Sequence, residues 1–81
     1  MKASDQLHVE WVDGEAVVLD QETGELHYLN GPAALVYALI EEHGFEKGLE
    51  EARSRFGHEH SFETDLAVLL KDLSEKGILV D

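Results

Sequence analysis

The sequence predicts an α+β fold in which a three-stranded antiparallel β-sheet precedes three helices, a βββααα order. Three observations carry that expectation. Apolar and polar residues alternate with a period of two in the strand runs of the first 29 positions. Turns at Asp13-Gly14 and Gln21-Glu22-Thr23-Gly24 divide that region into three runs. From Pro32 onward the apolar spacing becomes helical, with breaks at Gly44, Gly57 and Gly77.

In the first run Leu7, Val9 and Trp11 alternate with His8 and Glu10, the pattern of a half-buried strand, and Asp13-Gly14 supplies the positive φ angles of a two-residue hairpin. Residues 15–20 pair back. Their run Ala16-Val17-Val18-Leu19 is apolar at consecutive positions, which suits a strand at the sheet centre or covered on both faces. After the second turn, residues 25–29 return antiparallel to the second strand. This third strand ends a meander and so has a free edge, with neither proline nor lysine to block it.

Asn30 is placed to cap the first helix, and Pro32 fits its first turn because the missing N–H has no helical partner there. The helix is expected over residues 32–43, apolar nearly all round and therefore central. A second helix over residues 46–56 repeats Phe45, Leu49, Ala52 and Phe56 at helical spacing, and places Glu51 and Arg55 for an i,i+4 pair. Gly48 costs this helix about 1 kcal/mol relative to alanine. The third helix, residues 63–76 with Ser61 or Thr64 as cap, stops at Gly77 before an extended Ile78-Leu79-Val80 tail that packs back on the domain.

On a wheel of the third helix, Leu66, Leu70 and Leu73 centre the core face, Leu69 lies on a flank, and Val68 continues that flank toward water. Asp65, Asp72 and Lys76 fall on the same side. A helix serving the core alone has no use for Val68 there, so the flank is a candidate groove wall.

The 81 residues read as one small domain, which buries roughly 60–65% of its unfolded surface and leaves little room for a deep active site. Eighteen acidic against six basic residues give a net charge of −12, a field that repels phosphate backbones and anionic lipid and attracts basic partners. Three helices beside a small sheet also describe winged-helix DNA binders, but the few Lys and Arg are scattered and outnumbered, so no nucleic-acid role is expected. No apolar run approaches the ~20 residues of a membrane span, and residues 1–5 lead into no signal-peptide core, so a cytoplasmic protein is expected.

Catalytic chemistry finds no foothold. The absence of cysteine excludes disulfides, thiolate metal sites and thiol nucleophiles. His58 and His60 lack a clear third ligand, the serines lack a nucleophile-elbow context, and phosphate-loop patterns are missing. No catalytic residue, metal or cofactor is expected, and the protein is read as a non-enzyme.

Leu19-Asp20 at a strand end, a glycine-bearing turn, Leu29-Asn30 at a helix start, an alanine-rich helix, and the Asp-Leu-x-x-x-Leu-x-x-Leu-x-x-x-Gly-Ile-Leu ending of residues 65–79 resemble the coenzyme PQQ synthesis protein D family. That family provides the RiPP recognition elements, domains that bind the leader of ribosomally made, modified peptides. The resemblance runs from about residue 12 to residue 80 and is strongest to the stand-alone leader-binding proteins of split lasso-peptide systems.

It implies a winged-helix-like fold and a leader peptide added antiparallel to the third strand, in the groove against the third helix. Carried onto this chain, the strand side is Glu25, Leu26, His27, Tyr28 and Leu29, and the helix side is Asp65, Val68, Leu69, Asp72, Leu73 and Lys76. Leu26, Tyr28, Val68 and Leu69 accept apolar side chains in this reading, while Asp65 and Asp72 favour a basic leader. The implied partners are the leader of a precursor peptide, a transglutaminase-like cysteine protease that removes it, and a macrolactam-forming cyclase. The alternatives are a peptide chaperone for another modifying enzyme, such as a radical SAM enzyme, or a homodimeric structural or regulatory subunit.

Overall fold

A computed structural model describes all of residues 1–81. In chain order it comprises β1 (Lys2–Ala3), β2 (Leu7–Val12), β3 (Glu15–Asp20), β4 (Leu26–Leu29), α1 (Gly31–His43), α2 (Phe45–Phe56), α3 (Phe62–Glu75) and β5 (Leu79–Val80). The expected meander is present as an antiparallel sheet of order β2-β3-β4. Asp13 and Gly14 both take positive φ at the first hairpin, which sets the register from Val12↔Glu15 to Leu7↔Asp20. At the second turn the Asp20 carboxylate accepts the Glu22 and Thr23 N–H groups at 2.9 and 3.2 Å, and Gly24 takes the left-handed conformation.

One face of the sheet packs on the helices. Ala16, Val18 and Leu29 are buried there, whereas Val17 remains 36% exposed on the opposite face. Of the two explanations open for the consecutive apolar run of β3, its central place in the sheet holds and cover on both faces does not. No helix lies over the second face.

Asn30 caps α1 by accepting the Ala33 N–H at 3.1 Å. Tyr37, Leu39 and Ile40 carry α1 into the core, as its all-round apolar sequence requires. Burial pushes the Tyr37 phenol up to about 12, with the Glu41 charge adding to the effect. Gly48 now has its reason: an added Cβ would stand 2.6 Å from the Ile40 Cα, so the close approach of α2 to α1 depends on a bare backbone.

The Glu51–Arg55 pair does not form within α2. Instead Arg53 donates two hydrogen bonds to the Glu63 carboxylate, at 2.9 and 3.3 Å, joining α2 to α3. The two contacts share no residue: an exposed i,i+4 pair is worth only a few tenths of a kcal/mol, too little to hold two long side chains together, whereas the two-pronged guanidinium–carboxylate contact is stronger. Ser61 sits at the α3 cap position without bonding a backbone N–H, its hydroxyl donating to Asp65 at 2.8 Å.

At the other end of α3, Gly77 adopts φ 75° while Ile78 N–H donates to Leu73 O and Gly77 N–H to Ser74 O, a Schellman stop that buries Ile78 against Leu73. The tail then pairs β5 with β1, Ala3 opposite Leu79. Packing of the tail was expected, but its strand partner near the N-terminus was not. No helix is long and apolar enough to cross a membrane.

Candidate functional site: an open sheet edge beside an apolar groove

Ladder parity determines which backbone groups of β4 are free. Asp20 N–H donates to Glu25 O at 2.9 Å, which sets the parity of the ladder, so the facing pairs 18/27 and 16/29 carry the inner hydrogen bonds. Leu26 and Tyr28 consequently direct their N–H and C=O groups away from β3. The strand order leaves that side without a protein partner.

Alternation also sorts the side chains. Leu29 and His27 lie on the helix side of the sheet, Leu29 in the core and His27 half-buried with its Nε2 shielded from solvent and unbonded. Leu26 and Tyr28 project to the opposite face, 67% and 59% exposed. Tyr28 has Glu15 as its diagonal neighbour on β3, and the hydrogen bond and charge of that carboxylate raise the phenol above its ordinary range.

Between the end of β4, the start of α1 and one side of α3 runs a groove of about 850 Å³, within the range of ligand-binding clefts. Tyr28 and Leu29 line one wall, and Asp65, Val68, Leu69 and Asp72 the other. Lys76 also lines it, bonded to Asp72 at 2.9 Å. Val68 is 65% exposed, an apolar side chain held at the groove without cover from the core.

The remaining sequence-derived residues are placed otherwise. Leu26 and His27 stand outside the groove on the strand that borders it, Glu25, expected as the first strand residue, lies just before that strand, and Leu73 is fully buried beneath the groove. Leu73 follows from the core face of the wheel: it supports the wall from behind and offers no surface to a ligand. Sequence reasoning also passed over one part of the lining. There Phe56 and Phe62 stack with ring centroids 6.4 Å apart and line the groove together with Leu66 and Pro32. The helical spacing of Phe56 reads as core and Phe62 lies outside the expected third helix, so only the tertiary approach of α2 to α3 shows that both face a cleft.

Electrostatically the groove is acidic: Glu59, Asp65 and Asp72 line it against the single cation Lys76, which Asp72 already pairs. No group of three or more His, Cys, Asp or Glu residues is arranged to hold a metal ion. What the arrangement offers is hydrogen bonding to an extended backbone, apolar contact for its side chains, and attraction for positive charge.

A βββααα domain with an unpaired edge strand bordering an apolar, acid-rimmed groove is the class defined by these features. Within it, the chain belongs to the coenzyme PQQ synthesis protein D (PqqD) family, whose model matches residues 15–79. It is similar over 100% of both chains to TbiB1, solved in complex with the TbiA(beta) leader peptide, with a TM-score of 0.79 and 26% sequence identity. No curated protein sequence matches the chain.

Proposed function

We propose that this protein is a non-catalytic leader-peptide-binding protein that captures a ribosomal precursor peptide by strand addition to β4 and presents it to a leader peptidase. The observation that carries the reading is the juxtaposition of the outward backbone groups of Leu26 and Tyr28 with the Val68–Leu69 wall. The similarity to TbiB1, a protein solved with a leader peptide bound, supports it.

Backbone pairing along β4 gives affinity that tolerates sequence variation, and the groove gives selectivity. Side chains of the added strand that turn toward α3 enter between Leu29, Val68 and Leu69, while Asp65 and Asp72 favour lysine or arginine nearby. Two or three buried anchors at about 1.5–3 kcal/mol each, less the cost of ordering the peptide, support submicromolar binding. The peptidase is a transglutaminase-like cysteine protease and the following enzyme a macrolactam-forming cyclase, as in lasso-peptide biosynthesis in the cytoplasm.

The PqqD family match also favours a second reading, in which the same groove delivers its peptide to another modifying enzyme, such as a radical SAM enzyme. Fluorescence polarisation with a labelled leader from a precursor gene neighbouring this one tests the peptide step. Saturable binding lost in Val68→Asp is expected, and unchanged affinity in that variant contradicts the groove assignment. Co-purification of the peptide-loaded protein with each candidate enzyme then separates the two readings.

A further inference from the structure

The opposite border of the sheet carries a second open edge that peptide capture at β4 does not use. Gln21 N–H donates to Gln6 O at 2.7 Å, so the even-numbered residues of β2 bond inward to β3, and Leu7, Val9 and Trp11 turn their backbone groups outward. No protein strand pairs with them. Residues 7–12 contain no proline, lysine or bulge of the kind that guards an edge.

The order of side chains along this edge is self-complementary. Only odd-numbered residues present free backbone groups, so an antiparallel copy of β2 must pair odd with odd. With the two-fold axis at Val9, Leu7 faces Trp11 of the second copy in both hydrogen-bonded outer pairs, and His8 faces Glu10 of the second copy in both closer, non-hydrogen-bonded pairs. Shifting the axis to Glu10 sets two glutamates opposite each other, and shifting it to His8 sets two histidines opposite each other. Only the Val9 register gives each Glu10 carboxylate an imidazole partner and avoids the glutamate pair, so it is the favoured one.

Local geometry accommodates that register. His8 Nε2 and Glu10 Oε1 already lie 2.7 Å apart on the exposed face, so two copies form a four-group polar ladder. Trp11 is 48% exposed on the helix side. A cleft of about 650 Å³ borders the edge there, its lining divided between apolar residues such as Leu7, Val9 and Ile40 and polar ones such as Lys2, Asp5 and Glu41, and an indole from the second copy can lie along its apolar side.

We infer that β2 is a self-association edge through which two copies of this chain pair antiparallel about Val9 into a six-stranded sheet. Both β4 edges remain at the outer borders, so each copy keeps its groove. The charge of −12 on each chain opposes the pairing at long range, so association strengthens as added salt screens that repulsion.

Sedimentation velocity on the full chain, from about 10 µM to about 1 mM and at low and moderate salt, provides the test. A dimer that grows with concentration and with salt is expected. His8→Glu sets glutamates opposite each other and weakens the dimer about tenfold, Glu10→Lys weakens it as well, and the double variant H8E/E10K sets glutamate opposite lysine and restores the dimer. All these side chains are exposed, and circular dichroism verifies folding. A chain that stays monomeric throughout, or a dimer indifferent to the single variants or not rescued by the double one, overturns the inference. So does a monomer whose affinity for a basic extended peptide, rather than for itself, falls in Glu10→Lys.

Discussion

The two borders of the three-stranded sheet are built from the same backbone pattern and differ in what stands beside them. At β4 the open edge borders a groove walled by Val68 and Leu69 and lined also by the Phe56–Phe62 stack. At β2 the neighbouring cleft is smaller, with Lys2, Asp5 and Glu41 among its lining residues. An open edge supplies affinity for any extended chain, and the flanking element decides which chain. β4, flanked by an apolar helix flank with a carboxylate rim, suits a foreign basic peptide with apolar anchors, whereas β2 suits a sequence that complements itself.

The largest effect that would separate the borders is a charge in the groove. Val68→Asp should abolish leader binding in fluorescence polarisation while leaving the fold intact, whereas Leu69→Asp should abolish it at some cost in stability, because Leu69 packs against the core. Val68 is mostly exposed, so its replacement opens no core cavity. Self-association through β2 should be unaffected, and equal loss at both borders would break the distinction.

Proline scanning of β4 sharpens it next. Leu26 N–H faces outward, so Leu26→Pro should fold and lose roughly tenfold in leader affinity, by removal of one intermolecular bond and one apolar contact. His27 belongs to the inward-bonded pair with Val18. His27→Pro should therefore destabilise the domain by about 1–3 kcal/mol in urea denaturation. Identical behaviour of the two variants would contradict the ladder parity.

A tyrosine stands near each border, and alkaline pH distinguishes them. Tyr37, beneath the β2 cleft, is pushed up to about 12 by burial. Its neutral form is the one the fold favours, so that contribution is fully present below pH 10 and is lost as pH rises from about 10 toward 12. Denaturation midpoints should fall over that window, and Tyr37→Phe should flatten the fall. Tyr28 is raised by exposed contact with Glu15 and should leave the stability profile unchanged when replaced by Phe.

The smallest effect belongs to the groove's carboxylates. Asp65→Asn and Asp72→Asn should each weaken a basic leader only two- to fivefold, mostly through slower association, because exposed ion pairs are worth about 0–1 kcal/mol. The wild-type association rate should fall with added salt, opposite in sign to self-association at β2.

Local chemistry made much of this legible in advance. Asp13-Gly14, Gly24 and Asn30 each demand one backbone geometry, and the lopsided wheel of α3 marked Val68 as a residue the core does not need. Features that depend on distant neighbours were not legible. Two residues at each end are too short to show a period, so the pairing of β1 with β5 left no trace in the pattern. The run Ala16-Val17-Val18-Leu19 reads the same whether one sheet face or both are covered, and only the placement of the helices shows Val17 to be exposed. Gly48 and the Phe56–Phe62 stack report contacts between helices, which no single helix wheel contains.

Amide hydrogen exchange, followed residue by residue with and without saturating leader peptide, tests strand addition at β4 most directly. The account predicts that the Leu26 and Tyr28 amides become protected when the peptide binds, while His27 and Leu29, already bonded to β3, change little and Leu7, Val9 and Trp11 do not respond. Saturation with unchanged exchange at Leu26 and Tyr28, or protection appearing on β2 instead, would contradict it.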